Sequence, residues 1–199
     1  TTACMDTALT PEQTRLPRNK SEGDIPHMAL VSGNVDGLEC VLRKIGIDDS
    51  EFTDPSGAGR IHIYNGNGAK ISKNTPAATT LTGSPSTLSN YDLVLLPCYG
   101  VAPPSSPNNP AAANKQHLIN YSNAGGRLFV THYSYSWLSD ISPFSGTAKW
   151  NVKQSNPGDP LTGTIDTTFP KGQAFAQWLV NVKAGTVVSG QTQIQIHVP

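Results

Sequence analysis

Two residues whose types support covalent chemistry follow predicted buried strands. Cys98 ends the apolar run that starts at Tyr91, and His132 follows the next apolar run, which starts at Arg127. A thiol next to an imidazole forms a nucleophile with its own general base. Such a pair acts only when the two side chains lie within hydrogen-bond reach of each other. We therefore take Cys98 and His132 as candidate catalytic residues.

A second group of residues has the types that bind a small polar ligand. Its members follow strands that we expect to be parallel, and ligands bind at the carboxyl ends of the strands in open α/β sheets. They are Asn34, Asp36, Tyr99, His132, Tyr133, Tyr135 and Trp137. Aromatic faces beside small polar groups suit the apolar face and the hydroxyl groups of a sugar. The alternative is that the tyrosines and Trp137 pack in the core or at its rim.

Metal and cofactor motifs are weak. The candidate calcium ligands are Asp48, Asp49, Glu51 and Asp54. Their spacing is not that of an EF-hand loop, and we favour a solvated turn after the first helix. The run Gly66-Asn67-Gly68-Ala69-Lys70 lacks the third glycine of a dinucleotide fingerprint and the Gly-Lys-Ser/Thr of a Walker motif. We therefore expect no cofactor and no resident metal.

The three cysteines, Cys4, Cys40 and Cys98, form no Cys-x-x-Cys pair and no zinc-ligand spacing. In an oxidising compartment one pair would form and one thiol would remain. We expect a disulfide between Cys4 and Cys40, which would tie the N-terminal segment to the domain. The alternative, three unpaired thiols, stays open.

The elements that must position these residues alternate along the chain. Apolar runs predict strands, and a period of three to four predicts helices. We predict strands at 27–31, 60–64, 91–98, 127–131, 149–153 and 162–166, and helices that contain Leu38, Val41, Leu42 and Ile45, or span 111–123 and 171–183. Gly46 would cap the first helix, and Phe175, Trp178, Leu179 and Val182 would form the apolar face of the last. Residues 65–90 are predicted to be a long loop with at most one helical turn. This order indicates an α/β domain with a mostly parallel sheet covered on both faces.

Composition limits the partners. The 199 residues carry no formal net charge, and only 14% are charged. Such a chain has no basic field for nucleic acid and no apolar run long enough for membrane insertion. A low-charge surface is typical of exported proteins, so we expect an extracellular, cell-surface or periplasmic location.

We expect residues 1–26 to be an extended, irregular leader, residues 27–199 to be one domain, and the chain to be a piece of a longer product.

Two segments resemble a known family. They are Tyr91-Asp92-Leu93-Val94-Leu95-Leu96-Pro97 and, one crossover helix later, Gly125-Gly126-Arg127-Leu128-Phe129-Val130-Thr131-His132. Together they resemble the class I glutamine amidotransferase-like superfamily, and within it the ThuA-like branch and secreted bacterial proteins of unknown function. The resemblance covers about residues 27–183. It implies a three-layer, flavodoxin-like α/β domain.

The same resemblance implies a nucleophilic cysteine at the sharp turn after the second segment. His132 or Tyr133 stands there instead, and the glycines of that turn are absent. Cys98 stands where the family has the glycines that bind an oxyanion, and no His-Pro-Glu run follows. We therefore do not expect glutamine hydrolysis.

Two functions from different classes follow from these observations. The first, which the sequence favours, is a non-catalytic extracellular or cell-surface binding or assembly module on a degenerate amidotransferase-like fold. Its partners would be carbohydrate, other surface proteins or a second copy of the chain. The alternative is a hydrolase or carbohydrate-active enzyme that uses Cys98 and His132 in a pocket at the strand ends.

Overall fold

The computed structural model of the chain describes residues 8–100, 110–152 and 158–197. The chain divides into two compact units, residues 1–150 and 151–199. The first contains a five-stranded parallel sheet, and the second contains a three-stranded antiparallel sheet and one helix. The α/β class with a mostly parallel sheet is therefore confirmed. The predicted limits of a leader at 1–26 and a domain at 27–199 stay a prediction.

Helices separate most of the consecutive strands of the first unit, as crossovers between parallel strands commonly do. Its strands are β1 (Met28–Ser32), β2 (Phe52–Thr53), β3 (Ile61–Asn65), β4 (Leu93–Leu96) and β5 (Arg127–Val130). Its α-helices are α1 (Pro11–Thr14), α2 (Leu38–Lys44), α3 (Ala78–Thr82), α4 (Pro85–Leu88) and α5 (Ala112–Asn123). Single 3-10 turns span Asp49–Glu51 and Phe144–Gly146, and a longer 3-10 helix spans His132–Trp137. The strand order is β2-β3-β1-β4-β5, which places β1 at the centre.

Side chains that alternate along each strand fill a core on each face of this sheet. On one face Ala29 and Val31 of β1 pack with residues of α3, α4 and α5. On the other face Met28 and Leu30 pack with residues that include Leu38 and Leu42 of α2. A strand buried on both faces reads as a continuous apolar run, which explains the sequence of β1 and β4.

Several predicted features differ from the structure at the edges of this unit. Residues 65–90 contain two short helices, α3 and α4, because Leu81 and Leu88 are buried in the core and hold them in place. The edge strand β5 is open on one face, where Phe129 is 50% exposed. The expectation of a sheet covered on both faces is therefore wrong at β5. Gly46 caps α2 with a φ of 108°, as predicted.

The second unit consists of β6 (Leu161–Thr164), α6 (Pro170–Asn181), β7 (Thr186–Val188) and β8 (Gln191–Ile196), in the sheet order β6-β8-β7. The strand predicted at 149–153 is absent at 149–152, and residue 153 lies outside the described residues. Phe175 and Trp178 of the predicted apolar face stack on each other along α6. Of that face only Leu179 is buried, beside Gly172 and Ala176, and Trp178 is 54% exposed. Within the described ranges every helix is too short or too polar to cross a membrane.

The segment before β1 is anchored by a buried carboxylate. Glu51 is 2% exposed, and its two carboxylate oxygens accept the backbone N–H groups of Lys20 (2.8 Å) and Arg60 (2.9 Å). Asn19 donates to Asp48 close by, at 2.6 Å. The described part of the predicted leader is otherwise irregular, apart from the four residues of α1. Glu51 therefore ties this segment to the body of the unit.

Replacing Glu51 by alanine should release the segment before β1. The change leaves two N–H groups without their acceptor, which should lower the free energy of unfolding by about 1–3 kcal/mol. Urea unfolding would measure that loss, and trypsin should cleave after Arg15 and Arg18 faster than in the parent. Glu12→Ala, at an exposed carboxylate on α1, is the matched control. An unchanged cleavage rate in Glu51→Ala would show that other contacts hold the segment.

A buried polar cluster lies beside β3 and the start of β4. His62 Nδ1 and the Tyr91 hydroxyl are 2.9 Å apart, and the Tyr91 and Tyr64 hydroxyls are also 2.9 Å apart. Burial, with a smaller effect of His27, lowers the pKa of His62, and burial raises the pKa of Tyr91. The backbone groups of Gly57 and Gly59 oppose this lowering of the His62 pKa without cancelling it. The folded protein therefore favours the neutral imidazole.

This cluster predicts a loss of stability in acid. The folded state binds fewer protons at His62 than the unfolded chain does, so stability is complete above the unfolded pKa of about 6.5 and falls as the pH decreases below it. In His62→Gln the slope of unfolding free energy against pH between 6.5 and 5 should be shallower, by at most about 1.4 kcal/mol per pH unit. Urea unfolding across this range measures the slope. A slope in His62→Gln equal to that of the parent would contradict the assignment.

Candidate functional site

The parallel pairing brings the residues that follow β1, β4 and β5 to the same edge of the sheet. Asp36 follows β1, Cys98 follows β4 and His132 follows β5. The registers pair Leu30 with Leu95 and Leu95 with Phe129, so the three strands end at nearly the same level. The sequence prediction that these side chains gather at the carboxyl ends of the strands is therefore consistent with the structure.

Cys98 and His132 are in direct contact at this edge. The distance from Cys98 Sγ to His132 Nδ1 is 3.2 Å, and the Gly100 N–H donates to the same sulfur at 3.2 Å. Cys98 is buried, whereas His132 is exposed. An imidazole at this distance can take the thiol proton, and a backbone N–H can stabilise the sulfur anion that results. Cys98 can thus act as a nucleophile and His132 as its base.

The backbone of Cys98 is held by a polar bridge between β1 and β5. The Cys98 N–H donates to Thr131 Oγ1 (3.0 Å) and to Asp36 Oδ2 (3.2 Å), and Thr131 Oγ1 donates to Asp36 Oδ2. Asp36 orients the chain at Cys98 through these contacts, and its predicted role in ligand binding stays a prediction. Thr131 is a positioning residue that the sequence did not indicate, because only the meeting of β4 and β5 gives its hydroxyl a role.

His132 has an unusual backbone conformation. Its φ is 39°, in the left-handed region that residues other than glycine rarely adopt. The ring of Tyr133 stacks on the imidazole, with centroids 4.0 Å apart and planes 21° apart. A conformation of this kind costs about 1–3 kcal/mol and occurs preferentially at functional sites. The strained backbone and the stacked ring of Tyr133 together hold the imidazole of the candidate base.

The loop after β1 approaches the loop after β4 closely. A Cβ on Gly33 would lie 2.4 Å from the Cys98 carbonyl oxygen, so this position requires glycine. Asn67 Nδ2 donates to Asn34 Oδ1 (3.1 Å) and to the Tyr99 carbonyl oxygen (2.9 Å). Asn34, predicted as a ligand-binding residue, thus contributes to a network in which Asn67, after β3, joins the loops after β1 and β4.

Tyr99 and Trp137 line a cavity of 340 Å³ at the carboxyl end of β3. Most of the polar groups that share it come from residues that the sequence did not indicate, namely Asn65, Thr79, Thr82 and Asn114. No charged side chain is among its described lining residues. Burial raises the pKa of Tyr99 to about 12, so its phenol stays neutral. Tyr133 and Tyr135 are not among the described lining residues, so this cavity does not gather the whole predicted ligand-binding group.

The four candidate calcium ligands are used by other protein groups. Asp48 accepts from Asn19, Asp49 pairs with Arg43, and Glu51 accepts the two backbone N–H groups given above. Asp54 accepts the hydroxyls of Ser72 and Thr75, both at 2.6 Å. No group of three or more metal-ligating side chains occurs among the residues that the structure describes.

The predicted disulfide falls partly outside the described residues, because Cys4 lies in the segment 1–7. Cys40 is exposed on α2 and Cys98 is buried, and neither forms a disulfide within the described ranges. The pairing of Cys4 with Cys40 therefore stays a prediction.

Comparison of the chain with protein-family models, with curated proteins and with solved structures gave no match. The resemblance to the class I glutamine amidotransferase-like superfamily stays a prediction. The strand order β3-β1-β4-β5 is compatible with the flavodoxin-like sheet that the resemblance implies. The geometry at the strand ends is thus the observation from which a function can be inferred.

Proposed function

We propose that this chain is a thiol-dependent hydrolase in which Cys98 is the nucleophile and His132 the general base. The observation that supports this proposal is the 3.2 Å distance between Cys98 Sγ and His132 Nδ1. The two residues follow different strands and meet at the edge of the sheet where α/β enzymes hold their ligands. The hydrolase is the alternative that the sequence left open, and the contact between Cys98 and His132 favours it over a non-catalytic binding module.

The proposed reaction begins with transfer of the Cys98 thiol proton to His132 Nδ1. The sulfur then forms a bond to the acyl carbon of an ester or amide, and the bond from that carbon to the leaving group breaks. His132 returns the proton to the leaving group, which leaves an acyl thioester on Cys98. Water, deprotonated by His132, attacks the thioester carbon and releases a carboxylic acid and the free thiol. The Gly100 N–H, 3.2 Å from the sulfur, stabilises its anionic form.

A second candidate, binding without catalysis, is favoured by the cavity that Tyr99 and Trp137 line. Its volume of 340 Å³ lies in the range of small-molecule sites. Aromatic rings beside neutral amide and hydroxyl groups suit an uncharged polyhydroxyl ligand such as a saccharide. An extracellular or cell-surface binding module is consistent with this lining and with the low charge of the chain.

The nucleophile is tested by alkylation of a variant in which Cys98 is the only thiol, Cys4→Ser/Cys40→Ser. At pH 6 an ordinary thiol, with a pKa of about 8.5, is almost entirely protonated and reacts slowly. Because His132 takes the proton, adding His132→Gln should lower the rate of iodoacetamide alkylation at pH 6 by at least about tenfold. Mass spectrometry of timed samples measures the rate, and should also detect an acyl group on Cys98 after treatment with p-nitrophenyl acetate.

Two controls separate this effect from a general loss of structure. His197→Gln in the same background should alkylate at the parental rate, and exposed Cys40 in Cys4→Ser/Cys98→Ser should not respond to His132→Gln. Equal alkylation rates with and without His132 would exclude Cys98 as an activated nucleophile. Alkylation of Cys98 only after unfolding would exclude it as well.

The binding candidate is tested with Asn114→Ala, on the wall of the cavity. Loss of one hydrogen bond should weaken the binding of a neutral oligosaccharide by about two- to tenfold. Tryptophan fluorescence titrations with a panel of neutral mono- and oligosaccharides provide the measurement. Asn120→Ala, at an exposed position of the same helix, should bind like the parent. If no saccharide of the panel binds the parent protein, the saccharide assignment is wrong, whatever the result at Cys98.

A further inference from the structure

A second cavity, of 250 Å³, lies at the carboxyl end of β1 on the face of the sheet that α2 covers. Ser32 and Glu39 contribute to its wall from β1 and α2, and Phe52, Ile63 and Ile71 give it an apolar part. None of its described lining residues belongs to the Cys98 site or to the cavity of Tyr99 and Trp137. A ligand here would therefore use different groups from those of the proposed function.

Two buried oxygen atoms in this wall lack hydrogen bonds to the part of the chain that the structure describes. Ser32 is fully buried, and its Oγ has no partner among the described residues. Glu39 Oε2 is also buried and without a partner in the same part of the chain. Buried polar atoms are nearly always paired, and an unpaired carboxylate oxygen is among the most unfavourable exceptions. A molecule that donates hydrogen bonds to both oxygens would remove this deficit.

The charges around the cavity favour a cationic donor at Glu39. Arg43 is already engaged by Asp49, through Nε to Oδ1 at 2.6 Å and Nη2 to Oδ2 at 2.9 Å. Lys70 also lines the cavity, but it forms no ion pair with Glu39 in the described structure. Of the two acidic residues that line the described wall, Asp49 thus has a charged partner in Arg43, whereas Glu39 has none among the described residues. An ammonium group satisfies its charge and its hydrogen-bonding capacity together.

We propose that the cavity between α2 and β1 binds a small primary amine, with the ammonium group donating to Glu39 Oε2 and Ser32 Oγ and an apolar body against Phe52 and Ile63. A short alkylamine and an amino acid present the same ammonium group. They differ in a carboxylate, which in an amino acid would face Lys70. The two sources are therefore distinguished by comparing 3-methylbutylamine with leucine, whose hydrocarbon parts are similar.

The experiment is isothermal titration of the full chain with 3-methylbutylamine, leucine and 3-methylbutanol. Saturable binding of at least one ammonium compound is expected, and the alcohol should bind at least about tenfold more weakly because it brings no charge to Glu39. Tighter binding of leucine would identify an amino acid as the ligand, and tighter binding of the alkylamine would identify a simple amine. Absence of saturable binding by both ammonium compounds, or equal binding of the alcohol, would overturn the proposal.

Three variants locate the site. Glu39→Gln should weaken amine binding at least about tenfold, whereas Glu12→Gln, at an exposed carboxylate, should leave it unchanged. Ala69→Phe fills the cavity from an exposed wall position and should abolish binding even if Glu39→Gln fails to fold. Thermal unfolding confirms that each variant is folded before titration. Parental affinity in Ala69→Phe would place the amine elsewhere and exclude this cavity.

Discussion

The central strand β1 is the constraint on which the rest of the α/β unit depends. All five of its residues are buried, and it pairs in parallel with β3 on one side and β4 on the other. A strand enclosed in this way has no solvent to replace a lost backbone hydrogen bond, so its register is fixed by both neighbours and by both core clusters. This register sets the level at which the neighbouring strands end. It therefore also sets the position of the loops at the carboxyl ends of the strands.

The loops at that edge are joined by contacts that leave little freedom. Gly33 lies against the Cys98 carbonyl oxygen at a distance that excludes any side chain. Asp36 and Thr131 together accept the Cys98 N–H, which links the ends of β1, β4 and β5. The strained backbone of His132 is maintained by this surrounding structure, since the residue alone would adopt another conformation. Preorganisation of this kind is what a nucleophile and its base require.

The two faces of the sheet offer different chemistry at the same edge. One face has a cavity with neutral amide, hydroxyl and aromatic groups. The other has a cavity with charged side chains and a buried hydroxyl that has no partner among the described residues. Successive side chains of a strand point to opposite faces, so two neighbouring residues of β1 can face the two different environments. Val31 packs in the core of the first face, whereas Ser32 lines the cavity on the second.

The sequence by itself determined the elements with long apolar runs and clear ends. Strands β1, β3, β4 and β5 and helix α5 lie within a few residues of their predicted limits, because continuous burial leaves a continuous apolar signal. Cys98 and His132 were indicated by residue type and by their position after strands. The short helices α3 and α4 carry a weak local signal, since the burial of Leu81 and Leu88 stabilises them.

Only the tertiary structure decided which polar residues act together. Asp36 contacts Cys98 and Thr131, which come from two other strand ends, and the carboxylates at 48–54 each have separate protein partners. Asn114 and Trp137 share a cavity although no spacing in the sequence relates them. The physical reason is that strand register and loop approach are set by long-range packing. Residue type shows what a side chain can do, whereas packing determines which other groups it meets.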